Sequence, residues 1–226
     1  MDIHNAGKVH KDFHSGNLLF INSDPFISDL GMCQPVNNKG QPVKEDGVYG
    51  VLPYMAPEIL RGFQYTKAAD IYSFGIIMNE FICEEMPYND IPHDKFLAIK
   101  ICKGFRPTIS EETPKLIADL ITRCWNAKAE NRPTAKELYQ ILKKWDNECD
   151  SSDGEYDVDS EIYLQIKECE KKFGIKNNSN QNKFNIQTHP QAIYTSRFLS
   201  FKNLPNPVNS SNLSGKAARF IDINII

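Results

Sequence analysis

The sequence predicts a mainly α domain over residues 1–147, a helical bundle around one buried central helix with a short β-hairpin near its start. Three observations carry that expectation. The run AADIYSFGIIMNEFICEE from Ala68 is apolar on nearly every face of a helix, and such a helix belongs inside a domain. Three more segments, starting near His93, Thr113 and Thr134, show apolar residues at helical spacing. Strand-like signals around a tight turn gather at Leu18–Ser28.

The elements follow in order. Leu18 to Ile21 and Phe26 to Ser28 read as two short strands around the turn Asn22-Ser23-Asp24-Pro25, where Asp24 is a solvated turn residue. Residues 32 to 50 read as loop, with Gly40, Pro42, Asp46 and Gly47 spread through them. The central helix starts at Lys67. Another runs from His93 to Lys103, with Phe96, Ile99 and Lys100 as neighbours on its surface. Thr113-Pro114 opens the next, which places Leu116, Ile117, Leu120, Ile121 and Cys124 on one side and ends at Trp125, a core residue. Thr134 caps the last, with Glu137 completing a capping box and Leu138, Ile141 and Leu142 facing inward.

Beyond that, residues 148–160 form an acidic linker too polar to fold. One further helix is expected over 161–174, with Ile162, Ile166, Cys169 and Phe173 as a stripe that docks on its own domain. Residues 175–226 are Asn-rich and Pro-punctuated and are expected to be mostly disordered.

Bulk properties exclude several classes. A net charge of -3 and a pI near 6.0 give no basic surface for nucleic acid. The longest apolar stretches, such as Phe74 to Met78, are far too short to span a bilayer. No basic segment followed by an apolar run opens the chain, so no secretory signal is expected. The cysteines at 33, 83, 102, 124, 149 and 169 are scattered without a CxxC, which suits reduced thiols in an intracellular, cytoplasmic protein.

The chemistry is concentrated in HKDFHSGN, residues 10–17. Asp12 and Asn17 put a carboxylate and a carboxamide five residues apart on one tight loop, the pair needed to deprotonate a hydroxyl and hold a divalent metal. Twelve residues later Asp29-Leu30-Gly31 adds a second acidic ligand followed by a hinge glycine.

With Ala56-Pro57-Glu58, Asp70 in DIYSFG and Arg132 in NRPT, these runs resemble the C-terminal lobe of eukaryotic protein kinases. That family carries H-R-D-x-x-x-x-N, D-F-G and A-P-E in this order. The resemblance covers residues 1 to about 145. It implies ATP and Mg²⁺ as cofactors and a protein as substrate. Asp12 is then the catalytic residue that accepts or orients the proton of the acceptor hydroxyl, and Asn17 and Asp29 are the metal ligands. The activation segment runs from Asp29, Leu30 and Gly31 through Tyr49 to Ala56, Pro57 and Glu58. His10, Lys11, Asp70 and Arg132 are structural supports: His10 and Asp70 fix the catalytic loop, and Arg132 pairs with Glu58.

The sequence departs from the family pattern at three places. Lys11 replaces the usual arginine, whose planar fork grips an activation-segment phosphate. Between Gly31 and Tyr54 there is no Ser or Thr, and Tyr49 is the only phosphorylatable hydroxyl, so switching by Ser/Thr phosphorylation is not expected. His14 and Val51 stand where Ser/Thr kinases carry a lysine and a threonine that bond each other. Both partners are replaced together, so no half-pair is stranded. Tyr54 stands where tyrosine kinases generally carry Trp, and the CW…RPT ending is shared with tyrosine-kinase-like Ser/Thr kinases. Of the two, the tyrosine-kinase-like Ser/Thr group fits better.

A Gly-rich loop, a strand lysine and a helix glutamate clamp ATP in a working kinase, and nine residues before His10 cannot contain them. Asp2 to Gly7 reads as the last turn of the helix before the catalytic loop. The expectation is therefore an N-terminally truncated kinase with little activity alone. Part of the Ile71–Phe81 surface should be exposed, with a partner covering what the missing lobe leaves open. A binding module or decoy competing with full-length kinases is the alternative, and a metal-dependent hydrolase a distant third.

Overall fold

The computed structural model describes residues 1–22, 24–36, 47–149, 159–177 and 188–209. A short helix, α1 (Asp2–Asn5), leads through β1 (Lys8–Val9) into the loop at 10–17. The hairpin β2 (Leu18–Ile21) and β3 (Asp24–Ile27) follows, with Leu18 opposite Ile27 and Ile21 opposite Asp24. Its turn is tighter than the sequence suggested. Asp24 and Pro25 belong to β3, and Asn22 takes the left-handed conformation (φ 51) that asparagine tolerates. Pro25 is accommodated because a two-stranded sheet has only edges. Residues 32–50, read as loop, contribute two short strands. β4 (Gln34–Pro35) pairs with β1, and β5 (Val48–Gly50) finds a partner far away in sequence. Gly40, Pro42 and Asp46 lie outside the described residues.

Helices form the rest: α2 (Pro57–Leu60), α3 (Lys67–Cys83), α4 (Lys95–Cys102), α5 (Lys115–Cys124), α6 (Ala135–Cys149) and α7 (Glu161–Asn177). The fold is thus mainly α, as expected of a kinase C-lobe. α3 is the central helix, with Ala69, Tyr72 and Ile76 fully buried against the 3-10 turn Leu52–Tyr54, α2, α4 and α5. On α4 the buried side is Leu97, Ala98, Ile101 and Cys102, while Phe96 is exposed. The capping box at α6 is formed: Thr134 N–H donates to Glu137 Oε2 (2.7 Å) and Glu137 N–H to Thr134 Oγ1 (3.2 Å). Leu138 then joins Ile71, Leu120 and Cys124 in a second core, with Ile141 and Leu142 packed on it. α7 docks through buried Ile162 and through Gln165, whose Oε1 accepts from Leu116 N–H (2.9 Å).

Close approach explains the glycine in the middle of α3. A Cβ on Gly75 would sit 2.6 Å from Cys124 Cβ on α5. In an open helix site Gly→Ala gains about 1 kcal/mol. Here overpacking wins, and Gly75→Ala is expected to destabilise by about 1–3 kcal/mol. A lower urea midpoint at unchanged slope is the readout; a raised midpoint would show that α3 and α5 do not touch as described.

The segment expected to be disordered departs most from the sequence reading. Residues 188–209 pack on the domain, and β6 (Arg197–Leu199) pairs antiparallel with β5. Leu199 is buried, and Tyr194, Phe201 and Leu204 pack on the main core. Four apolar anchors within eleven residues outweigh the polar composition around them. Polar bonds fix the path: His93 N–H donates to Gln191 O (2.9 Å), Arg197 Nη2 to His93 O (2.6 Å), Val208 N–H to Cys102 O (3.0 Å) and Arg61 Nη2 to Asn206 Oδ1 (2.7 Å). Most of the expected linker, 150–158, and residues 178–187 and 210–226 lie outside the described residues.

Candidate active site

The loop between β1 and β2 is held from below by α3. Asp70, buried in the first turn of that helix, accepts from His10 N–H (2.8 Å) and Lys11 N–H (3.1 Å), and His4 Nε2 lies 2.8 Å away on the other side. One carboxylate therefore joins α1, the loop and the central helix. Those bonds also hold Lys11 at φ 74, a left-handed conformation that an unbranched non-glycine residue adopts only under constraint. His10 is buried and spans the loop: its Nδ1 accepts from Asp12 N–H (3.3 Å), so its Nε2–H donates to Ser28 O (3.0 Å). Phe13 stacks on Phe74 with ring centres 6.3 Å apart, which anchors the next residue to α3 as well.

Asp12 and Asn17 are brought together. Both are almost fully buried, and Asn17 Nδ2–H donates to Asp12 O (2.8 Å). With its nitrogen so committed, the amide offers its oxygen to a cation. Asp29 enters from the other side of the hairpin, in the left-handed conformation (φ 54), with Oδ1 accepting from Gly31 N–H (3.3 Å). Ser28 N–H donates to Asn17 O (2.8 Å), tying the residue before Asp29 to the loop. An amide oxygen and a carboxylate are hard donors that suit Mg²⁺, which keeps its remaining positions for water and phosphate. No cluster of three or more His, Cys, Asp or Glu able to hold a metal occurs among the described residues. The donor chemistry fits Mg²⁺.

Further along, Leu30 is exposed, Gly31 lies in a 3-10 turn, and Tyr49 is exposed with its ring 5.3 Å from Phe198. Ala56 and Pro57 open α2 with Pro57 at the first helical position. Glu58 pairs bidentately with Arg132, Nη1–Oε1 2.6 Å and Nη2–Oε2 2.8 Å. Arg132 also donates to Ala68 O and Asn126 O and lies over the Tyr72 ring. Lys11 Nζ donates to Gln34 Oε1 (3.1 Å), so the lysine that replaces arginine contacts β4 by a single bond. His14 Nε2 sits 3.9 Å from Asp12 Oδ2; burial lowers its pKa, and the Asp12 charge opposes that shift. Val51 is buried beside it.

Two residues, Glu80 and His4, gain importance only in the structure. Glu80, half-buried on α3, accepts from Ser15 Oγ (2.8 Å) and Tyr54 OH (2.8 Å). Burial raises its pKa, and the two bonds partly offset this. The trio links the loop at 10–17, the 3-10 turn Leu52–Tyr54 and the central helix. A lone acid in the apolar run IIMNEFI was the available signal. His4, the partner of Asp70, had none beyond its residue type.

The hairpin and α3 also border an apolar cleft of about 590 Å³, lined by Phe26, Ile27, Ile71, Phe74, Leu138 and Leu142. Phe20 of the hairpin and Phe81 of α3 stack edge to face (5.9 Å), and each is half exposed.

The family model for protein tyrosine and serine/threonine kinases matches residues 2–142. Similar proteins include "Probable serine/threonine-protein kinase gdt4" of Dictyostelium discoideum, 31% identical over 150 residues, covering 63% of this chain and 9% of the relative. A protein kinase and PP2C-like domain-containing protein of Arabidopsis thaliana is 30% identical over 173 residues, 62% of this chain and 26% of the relative. Dual specificity protein kinase shkA of Dictyostelium discoideum is 31% identical over 140 residues, 60% of this chain and 26% of the relative. The chain thus spans between 9% and 26% of the length of these relatives. The chain belongs to the protein tyrosine and serine/threonine kinase family.

Proposed function

We propose that residues 1–147 form the catalytic and metal-binding half of an intracellular kinase active site that moves the γ-phosphate of ATP to a protein Ser or Thr hydroxyl. The observation that carries this is the buried Asp12–Asn17 pair on a loop fixed by Asp70. Asp12 orients the acceptor hydroxyl and takes its proton, and Asn17 and Asp29 hold Mg²⁺. Mg²⁺ and ATP, when bound, supply the transferable phosphoryl group and the neutralising charge. His10, Asp70 and the Glu58–Arg132 pair keep the loop and the activation segment in position. Most of the similar proteins are named as serine/threonine-protein kinases, which favours Ser/Thr over Tyr as acceptor. The CW…RPT ending supports the tyrosine-kinase-like Ser/Thr group.

The Gly-rich loop, lysine and glutamate that clamp ATP are then supplied by residues outside these 226, and the chain alone transfers little phosphate. The apolar cleft favours a second reading, in which the chain acts by binding a partner that covers Phe26, Ile27 and Phe74; Ile71, expected to be exposed, is buried. The test joins residues 1–226 behind the ATP-clamping lobe of a related kinase and supplies labelled ATP, Mg²⁺ and a general protein acceptor. Label on phosphoserine and phosphothreonine is expected. Label on phosphotyrosine alone would overturn the acceptor assignment, and no transfer would favour the binding role.

A further inference from the structure

α7 sits on the domain by shallow contacts. Ile162 is its one buried side chain among the described residues. Just before the helix, the buried Ser160 hydroxyl donates to Glu148 Oε2 in the last turn of α6 (2.7 Å). Farther along, Gln165 Oε1 accepts from Leu116 N–H (2.9 Å), and Gln165 Nε2–H donates to Glu161 Oε1 (3.0 Å). Leu116 is the second residue of α5, where the N–H has no partner within its own helix, so α7 caps α5 from outside. Ile166 and Cys169 face Ile82 and Pro114 across a narrow gap.

The Ser160–Glu148 bond requires a neutral hydroxyl with a proton to give. A phosphate on the same oxygen has about -1.5 to -2 charges and three acceptor oxygens, so the donor is lost. It would face the Glu148 carboxylate at the C-terminal end of α6, where negative charge is already unfavourable. Lys144 Nζ, 3.5 Å from Glu148 Oε1, supplies one nearby positive charge, too little for a carboxylate and a phosphate together. The same phosphate lies at the N-terminus of α7, which favours that helix as a helix. The loss therefore falls on docking. In sequence Ser160 is flanked by Asp157, Asp159 and Glu161, a pattern complementary to a basic substrate groove.

We propose that Ser160 is a phosphorylation site and that its modification releases α7 from α5 and α6. A separate protein kinase with a basic substrate groove supplies the phosphoryl group from ATP. The bond from the γ-phosphorus to the bridging oxygen of ADP breaks, and the bond from Ser160 Oγ to phosphorus forms. The hydroxyl proton passes to that kinase's base, and ADP leaves. A buried serine is not reached while α7 is docked, so the modification captures the locally opened form and then prevents reclosing. None of this depends on whether residues 1–147 transfer phosphate themselves.

The first experiment uses the full chain carrying phosphoserine at 160, incorporated during translation, with no ATP present. Amide exchange is followed residue by residue by NMR. Leu116 should be protected in the unmodified chain and exchange at least about tenfold faster in the phosphorylated one, with α3 unchanged. Ser160→Ala removes the bond without adding charge and should accelerate Leu116 less than about threefold. Glu148→Gln in the phosphorylated chain should restore most of the protection, because an amide can donate to the phosphate. Unchanged or increased protection at Leu116 on phosphorylation would overturn the release. Equal acceleration by Ser160→Ala would overturn the role of charge, and acceleration throughout α3 would overturn a release confined to α7. The second experiment labels the chain, with Ser151→Ala and Ser152→Ala, using an acid-directed serine/threonine kinase and ATP. Ser160 should be labelled, and Gln165→Ala, which weakens the seat, should raise the rate at least about threefold. No label on Ser160, or a rate indifferent to Gln165→Ala, would overturn the site.

Discussion

Glu58→Ala should destabilise the domain by about 3–5 kcal/mol, one of the largest losses from any single substitution in this chain. The reason is what is left behind. The Arg132 side chain is wholly buried and the Glu58 side chain only 17% exposed, so removing the carboxylate strands a buried guanidinium without its counter-charge. The backbone carbonyls of Ala68 and Asn126 and the Tyr72 ring remain as partners, but none carries a full charge. Arg132→Met should be milder, because the carboxylate it strands keeps some contact with water and the methionine refills the volume. The double variant should lose less than the sum of the two. Urea unfolding of all four proteins measures this, and additive losses would show that the pair does not act as a unit.

Asp70→Ala should loosen the start of the 10–17 loop from the central helix, although Phe13–Phe74 and Ser15–Glu80 still hold its later residues. It strands the N–H groups of His10 and Lys11, at about 1–3 kcal/mol for each buried donor left unpaired. It also frees Lys11 to leave its left-handed conformation, which no other bond to its N–H enforces. The consequence for function exceeds the loss of stability: once Lys11 relaxes, Asp12 is carried out of register with Asn17. Hydrogen exchange at His10 and Lys11 should accelerate well beyond the change in global stability. Equal acceleration throughout the domain would mean that Asp70 supports the fold without specifically holding the loop.

Much of this was legible in the sequence, and for a physical reason. HKDFHSGN, DLG and APE are short because the chemistry needs those groups on one turn of backbone, and chain-local geometry leaves a chain-local mark. The all-apolar stretch from Ala68 and the capping box at Thr134 are equally local signals, and the helices they announce form where expected. What escaped is long-range. Three residues at 197–199 gain strand structure only by meeting Val48–Gly50, some 150 residues away, and no periodicity survives in so short a piece. Composition was the wrong guide to that segment, because four well-placed apolar side chains outweigh many asparagines. The buried face of α4 was blurred because apolar residues lie on both sides of it. The trio Ser15, Tyr54 and Glu80 draws one residue from each of three elements, and no one-dimensional pattern joins them.

On the proposed function, these residues supply the catalytic and metal-binding half of a kinase site and act with a separate ATP clamp. Phosphate transfer from labelled ATP and Mg²⁺ to a protein acceptor tests it most directly, run on residues 1–226 alone, on the same residues joined to an ATP-clamping lobe, and on each with Asp12→Asn. The predicted result is transfer by the joined protein, reduced about 10²–10⁴-fold by Asp12→Asn, and none above that background by residues 1–226 alone. Transfer by residues 1–226 alone that Asp12→Asn abolishes would contradict the dependence on a separate clamp. Transfer by the joined protein that Asp12→Asn leaves unchanged would contradict the catalytic role itself.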